Sequence, residues 1–363
     1  MYQRSIIEIS KSAFDSNISF YKKKINNQTL AAVVKANAYG HGLKEIATLC
    51  QKNNLVDWLC VAYLSEALYL RKLGITKPIL VLVCIDDLPE LLIKNKIAII
   101  GHSKKQIDTL QAVAQQLDIP VNVHLKIDTG LSRLGVLEKD ALSFIQYVQN
   151  LSHIRIQGIL THFAEPEKFD SHFTQKQLNL YKNLIKKGKL QNKVPYIHIG
   201  SSASMNQKEI VPFGNFFRIG AGIYGLTPNE TLQPVLTWKT KIISIKTVAA
   251  GATVSYGRTY KATKKTKLAV LPIGYSENYN RRLSNKGFVY IKKQPAPIVG
   301  VIGMNMTIVD VSEIKNICLQ DEVILIGNYE NITAKCLAKI TQSFNPREVT
   351  TRINSTIKKV IVP

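Results

Sequence analysis

Residues 58–74 read WLCVAYLSEALYLRKLG, and the order of parts within them decides the fold. WLCVAY (58–63) is a short, continuous apolar run without period-two alternation, as a strand buried on both faces requires. YLSEALYLRKLG (63–74) follows as a helical stretch, with a glycine where a helix would stop. The apolar half of this pair recurs in both directions along the chain. Further β-branched runs stand at LAAVVKA (30–36), PILVLV (78–83), IAIIGHS (97–103), VNVHLKIDTG (121–130), IRIQGILTHF (154–163), YIHIGSS (196–202) and FFRIGAGIYG (216–225). SKKQIDTLQAVAQQLD (103–118) is a second clear helical stretch between them. Eight such units over about 225 residues match a (β/α)8 TIM barrel in count and size. A doubly wound parallel sheet would give a similar pattern, and the runs alone leave it open.

The rhythm changes near Pro234. VLTWKTKIISIKTVAA (235–250) alternates apolar and polar residues at period two, as a half-buried strand should. ATVSYG, KLAVLPIGY, GFVYIKK, APIVGVIGMNMTIVDV and DEVILIG follow, with Gly, Pro and Asn punctuation. This predicts a mostly antiparallel β domain, closed by short helices near NITAKCLAKITQ and PREVTTRINST. The expected class is therefore α/β: an N-terminal TIM barrel over 1–233 and a β domain over 234–363. The first residues are free to pair with the β domain.

The 363 residues are 45% hydrophobic and 20% charged, a globular composition. The formal net charge is +23, which first suggests nucleic acid or a membrane surface. Residues 1–232 hold 28 basic and 18 acidic residues, and 233–363 hold 20 and 7, so the excess is denser in the C-terminal third. No recognised nucleic-acid motif accompanies it, and no nucleic-acid or membrane partner is expected. There is no run of 18 apolar residues, and MYQRSIIEISKSAF lacks an apolar signal region and a cleavage site. A cytoplasmic location is the expectation. The five cysteines (Cys50, Cys60, Cys84, Cys318, Cys336) form no C-x-x-C pair, which argues against disulfides or structural zinc. All five read as core residues, as do Trp58 and Trp238. The histidines show no metal-ligand spacing, so no metal is expected.

In a TIM barrel, functional groups sit at the C-terminal ends of the strands. The first run ends in Lys35-Ala-Asn-Ala-Tyr39-Gly40-His41-Gly42. Burial makes a lysine amine nucleophilic toward an aldehyde, and the glycines and Tyr39 beyond it can approach a phosphate. The fifth run ends in His124-Leu-Lys126-Ile-Asp128-Thr-Gly130-Leu-Ser-Arg133, where the charges are expensive unless paired. Asp128 reads as a structural partner for nearby backbone or a cation. The sixth run ends in Thr161-His162, the seventh in His198-Ile-Gly200-Ser201-Ser202, and the eighth opens with Arg218-Ile-Gly220. Gly-rich loops after strands seven and eight commonly bind phosphate in this fold. A barrel lysine with such a site implies a phosphorylated aldehyde cofactor, pyridoxal 5′-phosphate.

VVKANAYGHG, HLKIDTGLSRLG, GILTHFA, FFRIGAGIYGL, VSYGRTY, PIGYSE and VGVIGMNMTIVDV occur in this order. In that order they resemble the bacterial alanine racemases, fold-type III pyridoxal-phosphate enzymes, over nearly the whole chain. Each motif alone is weak, and the set is specific. The resemblance implies a homodimer that interconverts L- and D-alanine by a two-base mechanism and supplies D-alanine for peptidoglycan. It implies that Lys35 holds the cofactor as a Schiff base and serves one face of the substrate. Tyr256, reaching in from the partner subunit's β domain, serves the other. By the same resemblance Arg218 faces the pyridine nitrogen, and Tyr39, Ser202 and the Gly220 backbone meet the phosphate. Ser201 and His162 complete the cofactor-binding set. Arg133 contacts the cofactor and the substrate carboxylate, and Lys126 is the lysine that is often carbamylated and then holds that arginine. The Met304 backbone meets the substrate carboxylate and Tyr275 stands at the entrance.

The chain also departs from the family pattern. Ser201-Ser202 stands where Asn-Ser is usual, Met304-Asn305 where Met-Asp is usual, and Glu277-Asn278 where Asp-Gly is usual. The family's C-terminal tyrosine has no equivalent in KKVIVP, with Ile361 near its place. Two other readings are weighed. One is a relative with another substrate, either a broader racemase or a decarboxylase; the VSYG tyrosine and Arg218 speak against the decarboxylase. The other is a non-catalytic vitamin B6-binding barrel, which the 130 further residues carrying Tyr256 oppose.

Overall fold

Leu30, Ala31, Ala32 and Val33 are all buried along the first barrel strand, Thr29–Val33, which is why its run carries no polar alternation. The computed structural model describes residues 4–168, 171–206 and 210–363. Seven further strands repeat that pattern: Trp58–Tyr63, Ile79–Cys84, Ala98–Gly101, Val121–Asp128, Ile154–Leu160, Tyr196–Ser201 and Phe216–Ile219. Each pairs in parallel with the next, and the eighth pairs with the first (Arg218↔Ala31), so the sheet closes on itself. That closure settles the alternative left open above: the fold is a TIM-like barrel, not a doubly wound sheet. Helices lie between the strands, as at Leu64–Lys72 and Lys104–Leu117.

The barrel floor is filled with rings. Trp58, Tyr196 and Phe216 each open a strand, and Trp58 meets Phe216 edge-on at 5.5 Å between centroids. His124 and His198 are fully buried among them, with Nδ1 of His124 2.8 Å from Nε2 of His198. His198 stacks on Phe216 at 3.9 Å. Gly158, in the sixth strand, makes this possible, because a Cβ there would strike both imidazoles.

The chain divides into two compact units. One, Ile18–Ala36 and Ile46–Ile223, carries all eight barrel strands. The other, Met1–Asn17, Asn37–Glu45 and Tyr224–Pro363, is built on a six-stranded sheet. In spatial order its strands are Gln294–Pro297, Phe288–Ile291, Glu322–Ile326, Leu236–Lys241, Ser5–Ser10 and Lys359–Val362. All its pairings are antiparallel except that of Ser5–Ser10 with Lys359–Val362. A three-stranded antiparallel sheet joins Ser244–Val248, Thr266–Leu271 and Thr307–Asp310.

Two expectations need correcting. The period-two stretch 235–250 is two strands, Leu236–Lys241 and Ser244–Val248, in different sheets. The alternation breaks at Ile242-Ile243, where one amide donates to Asp321 and the next to Val270. The cysteines are not all core: Cys50 and Cys60 are buried, Cys84 and Cys336 are half-buried, and Cys318 is exposed in the turn before Glu322–Ile326.

Candidate active site

Lys35 opens a helical turn, Lys35–Tyr39, two residues beyond the first barrel strand. Ala36, Asn37, Ala38 and Tyr39 all have φ of 52–55°, so the turn is left-handed. Such a turn costs roughly 1–2 kcal/mol per non-glycine residue. Hydrogen bonds hold it: Gly40 N donates to Asn37 O at 3.0 Å, and Leu43 N to Asn37 Oδ1 at 2.9 Å. Ala36 N donates to the Glu66 carboxylate at 2.7 Å, and the other oxygen of Glu66 accepts from Ala62 N at 2.8 Å. Glu66 thus ties the segment after Lys35 to the end of the second strand, a role that sequence reading missed. Its only signal was a glutamate at the third position of the helix beginning at Leu64. The Tyr39 ring lies 5.0 Å from that of Tyr224.

Arg218, in the eighth strand, is buried. Its Nη2 donates to Thr161 O at 2.9 Å and lies 3.4 Å from His162 Nδ1. Its Nη1 is buried without a hydrogen-bond partner among the described residues. Thr161 is fixed in turn, its Oγ1 donating to Ile127 O at 3.0 Å and lying 2.8 Å from Thr129 Oγ1. Lys126 is also buried in this region. Burial, and then the charges of Arg133 and Arg218, lower its pKa to about 8. Burial and the charges of Arg218, Arg133, Lys126 and Lys35 hold His162 down to about 3. Four cations therefore act on one neutral imidazole, an arrangement suited to anionic ligands. Asp128 caps its own loop, its Oδ1 accepting from Gly130 N at 2.9 Å and Ser132 N at 3.1 Å.

After the seventh strand, Ser202 Oγ accepts from Gly220 N at 2.9 Å and Gly222 N at 3.1 Å. Two backbone donors thus converge on one oxygen, the arrangement an anion oxygen needs. Ser201 turns toward Ser204 instead, its N donating to Ser204 Oγ at 2.9 Å.

Tyr256, Tyr275 and Met304 belong to the second unit, and all three are exposed. Hydrogen bonds bring two of these segments together: Tyr275 N donates to Gly303 O at 3.1 Å and Ser276 N to Met304 O at 3.0 Å. A Cβ on Gly303 would lie 3.8 Å from Tyr256 Cε2, which places the Tyr256 ring beside the same loop. Sequence reading missed Met306, whose exposed side chain stands in that loop.

A lysine, an arginine and backbone donors at the carboxyl ends of a closed parallel barrel define a barrel-borne enzyme site. The comparisons with known proteins give its kind. Family models described as "Alanine racemase, N-terminal domain" and "Alanine racemase, C-terminal domain" match residues 9–228 and 235–361. The alanine racemase of Halothermothrix orenii is 36% identical over 357 residues, covering 93% of this chain and 92% of that one. That of Methylacidiphilum infernorum is 35% identical, with 99% and 92% covered. Among solved structures, alanine racemase of Clostridium difficile 630 superposes with a TM-score of 0.92 at 32% identity, covering 100% of this chain and 96% of that one. Alanine racemase from the D-cycloserine producer Streptomyces lavendulae gives 0.91 at 26% identity, with 100% and 98% covered. The chain belongs to the alanine racemase family, enzymes of the isomerase class.

Proposed function

We propose that this chain interconverts L- and D-alanine with pyridoxal 5′-phosphate, using Lys35 on one face and the partner subunit's Tyr256 on the other. The observation that carries the reading is Arg218, buried at the barrel mouth with Nη1 unpartnered among the described residues and Thr161 holding Nη2. The residues fit the cofactor. Arg218 can donate to a ring nitrogen, the Ser202 hydroxyl can hold a phosphate oxygen with Tyr39, the Gly220 N–H can join them by turning from Ser202 Oγ, and the four cations balance the negative charge. Ser201 and His162 border this cofactor site.

Pyridoxal 5′-phosphate, when bound, supplies an aldehyde for the substrate amine and a ring that delocalises the electron pair left at Cα. Lys35 Nζ would hold that aldehyde carbon until the substrate amine takes its place, and the freed Lys35 amine would then carry the proton on one face. The phenol oxygen of the partner subunit's Tyr256 would carry it on the other. The guanidinium of Arg218 keeps its protons near neutrality. A hydrogen bond from it to the ring nitrogen would therefore withdraw fewer electrons than a full proton, which would favour return of the proton to Cα over transamination. Arg133 holds the substrate carboxylate, with the Met304 backbone and Tyr275 completing the partner's site as a homodimer. Lys126, with a pKa near 8, has a neutral amine fraction able to attack carbon dioxide. The resulting carbamate would carry a negative charge toward Arg133, with the displaced proton passing to water.

The reaction supplies D-alanine for peptidoglycan in the cytoplasm. Among the described residues, no helix is long and apolar enough to cross a membrane. The direct test is to incubate the holoenzyme with each L-amino acid in D₂O. D-Alanine carrying deuterium at Cα is expected. Retention of protium with no D-product would refute the reading.

A further inference from the structure

The turn that carries Tyr275 is fastened on several sides by groups that the proposed chemistry does not use. Asn305 Nδ2 donates to Ser276 Oγ at 2.7 Å and to Glu277 Oε1 at 3.3 Å. The second oxygen of Glu277, Oε2, accepts from Gly274 N at 2.9 Å and closes the turn on itself. Asn354 adds a third strap, its N donating to Glu277 O at 3.3 Å and its Nδ2 to Ser276 O at 3.4 Å. The approach is so close that a Cβ on Gly274 would collide with the carbonyl oxygens of Gly303 and Met304.

We propose that Asn305 and Glu277 are a positioning pair that locks the Tyr275 turn to the Met304 loop, so that the Met304 backbone and the Tyr275 ring meet the substrate as one rigid piece. This rests on the reading above, in which Met304 and Tyr275 contact substrate. The polarity of the pair is the point. Glu277 is an acceptor on both oxygens, one taken by Gly274 N and one by Asn305, so the residue at 305 must donate. An amide does so, and a carboxylate of nearly the same shape cannot. The Asn305→Asp change would set two carboxylates 3.3 Å apart, with no proton between them, while the Ser276 hydroxyl can rotate to donate to the new carboxylate. A Glu277→Gln change made with it restores the match with reversed polarity. The new amide's NH₂ can donate to the carboxylate now at position 305, while its oxygen still accepts from Gly274 N.

The test is a double-variant cycle on the holoenzyme, with kcat and KM measured for both alanine enantiomers. Asn305→Asp should raise KM about tenfold with kcat within about twofold of wild type, the effect of losing one well-made polar contact. Adding Glu277→Gln to Asn305→Asp should bring KM back to within about threefold of wild type. A lock that serves folding alone would instead lower kcat with the active fraction and leave KM unmoved, and that result would overturn the proposal. So would a double variant no better than Asn305→Asp alone. Failure of the parent reading appears elsewhere, as wild-type protein that racemises no alanine.

Discussion

Arg218 reaches across from the eighth barrel strand to donate to the Thr161 carbonyl at 2.9 Å, with Thr161 itself bonded to Ile127 O and Thr129 Oγ1. One guanidinium nitrogen is thus held by backbone, and the other meets no acceptor among the described residues. A buried guanidinium is expensive, and burial lowers its pKa from the usual value. A residue kept under those terms serves what binds it. Arg218→Met removes the cost along with the donor. It should leave folding stability within about 2 kcal/mol of wild type while racemisation falls about 100-fold or more. Urea unfolding and kcat per mole of bound cofactor check the two halves. A large stability loss with normal kcat would make Arg218 a structural residue.

In the proposed mechanism Tyr256 serves one face of the substrate and Lys35 the other. Tyr256→Phe keeps the ring and removes the acid–base group, so racemisation in both directions should fall by about 10²–10⁴. Exchange of the D-alanine Cα proton with solvent, which the proposal assigns to Lys35, should persist. Proton NMR in D₂O reads both. Equal loss of exchange from both enantiomers would contradict separate bases.

Three histidines, His41, His124 and His198, are buried, and a fourth, His162, is half-buried; all four are held neutral. His41 is pushed down to about 4, and His124 and His162 to about 3, chiefly by burial, and His198 lies well below its usual value for the same reason. Each has a depressed pKa in the folded state and an ordinary one, about 6.5, when unfolded. Between these limits the unfolded chain binds more protons, so stability falls as pH drops from 6.5 toward 4 and is unaffected by these groups above about 7. Near pH 5 unfolding should take up about four protons from this source, a slope of about 5 kcal/mol per pH unit. Calorimetry in two buffers of different ionisation enthalpy measures the uptake. Uptake below one proton would contradict neutral burial.

Gly158→Ala tests the barrel floor. The added methyl strikes both His124 and His198, whose rings are hemmed in by Trp58, Tyr196 and Phe216. Overpacking of this kind should cost about 1–3 kcal/mol, read as a lower urea midpoint at unchanged slope. An unchanged midpoint would mean that the histidine pair can move apart freely.

Much of the barrel was legible in the sequence for one physical reason: strands covered on both faces carry unbroken apolar runs, and WLCVAY at 58–63 coincides with its strand. The β domain was less so. Alternation continues through 235–250 while the chain leaves one sheet for another, and only the adjacent Ile242-Ile243 marks the break. The left-handed turn at Lys35–Tyr39 was invisible, since alanine and tyrosine disfavour positive φ and only the neighbouring Gly40 and Gly42 hint at it. At the site, the strand-end rule pointed to Lys35, Lys126, His162 and Arg218. Glu66 was not read at all and Asn305 stood out only as a departure from the family pattern, because each acts by a hydrogen bond to a segment about 30 residues away. The charge also shrinks on inspection. Ten basic residues and one acidic residue stand between Arg258 and Lys293. Two of those lysines are paired outside the stretch: Lys264 with Glu313 at 2.7 Å and Lys292 with Asp321 at 3.0 Å.

The central claim is that Lys35 of one subunit and the partner subunit's Tyr256 form one catalytic site. Mixing Lys35→Ala subunits with Tyr256→Ala subunits tests it most directly. A verified heterodimer holds one intact site and one doubly damaged site if sites are shared, so about half the wild-type activity should return from two inactive parents. If each site is built within a single subunit, both sites carry a lesion, and verified heterodimers with no recovered activity would contradict the account.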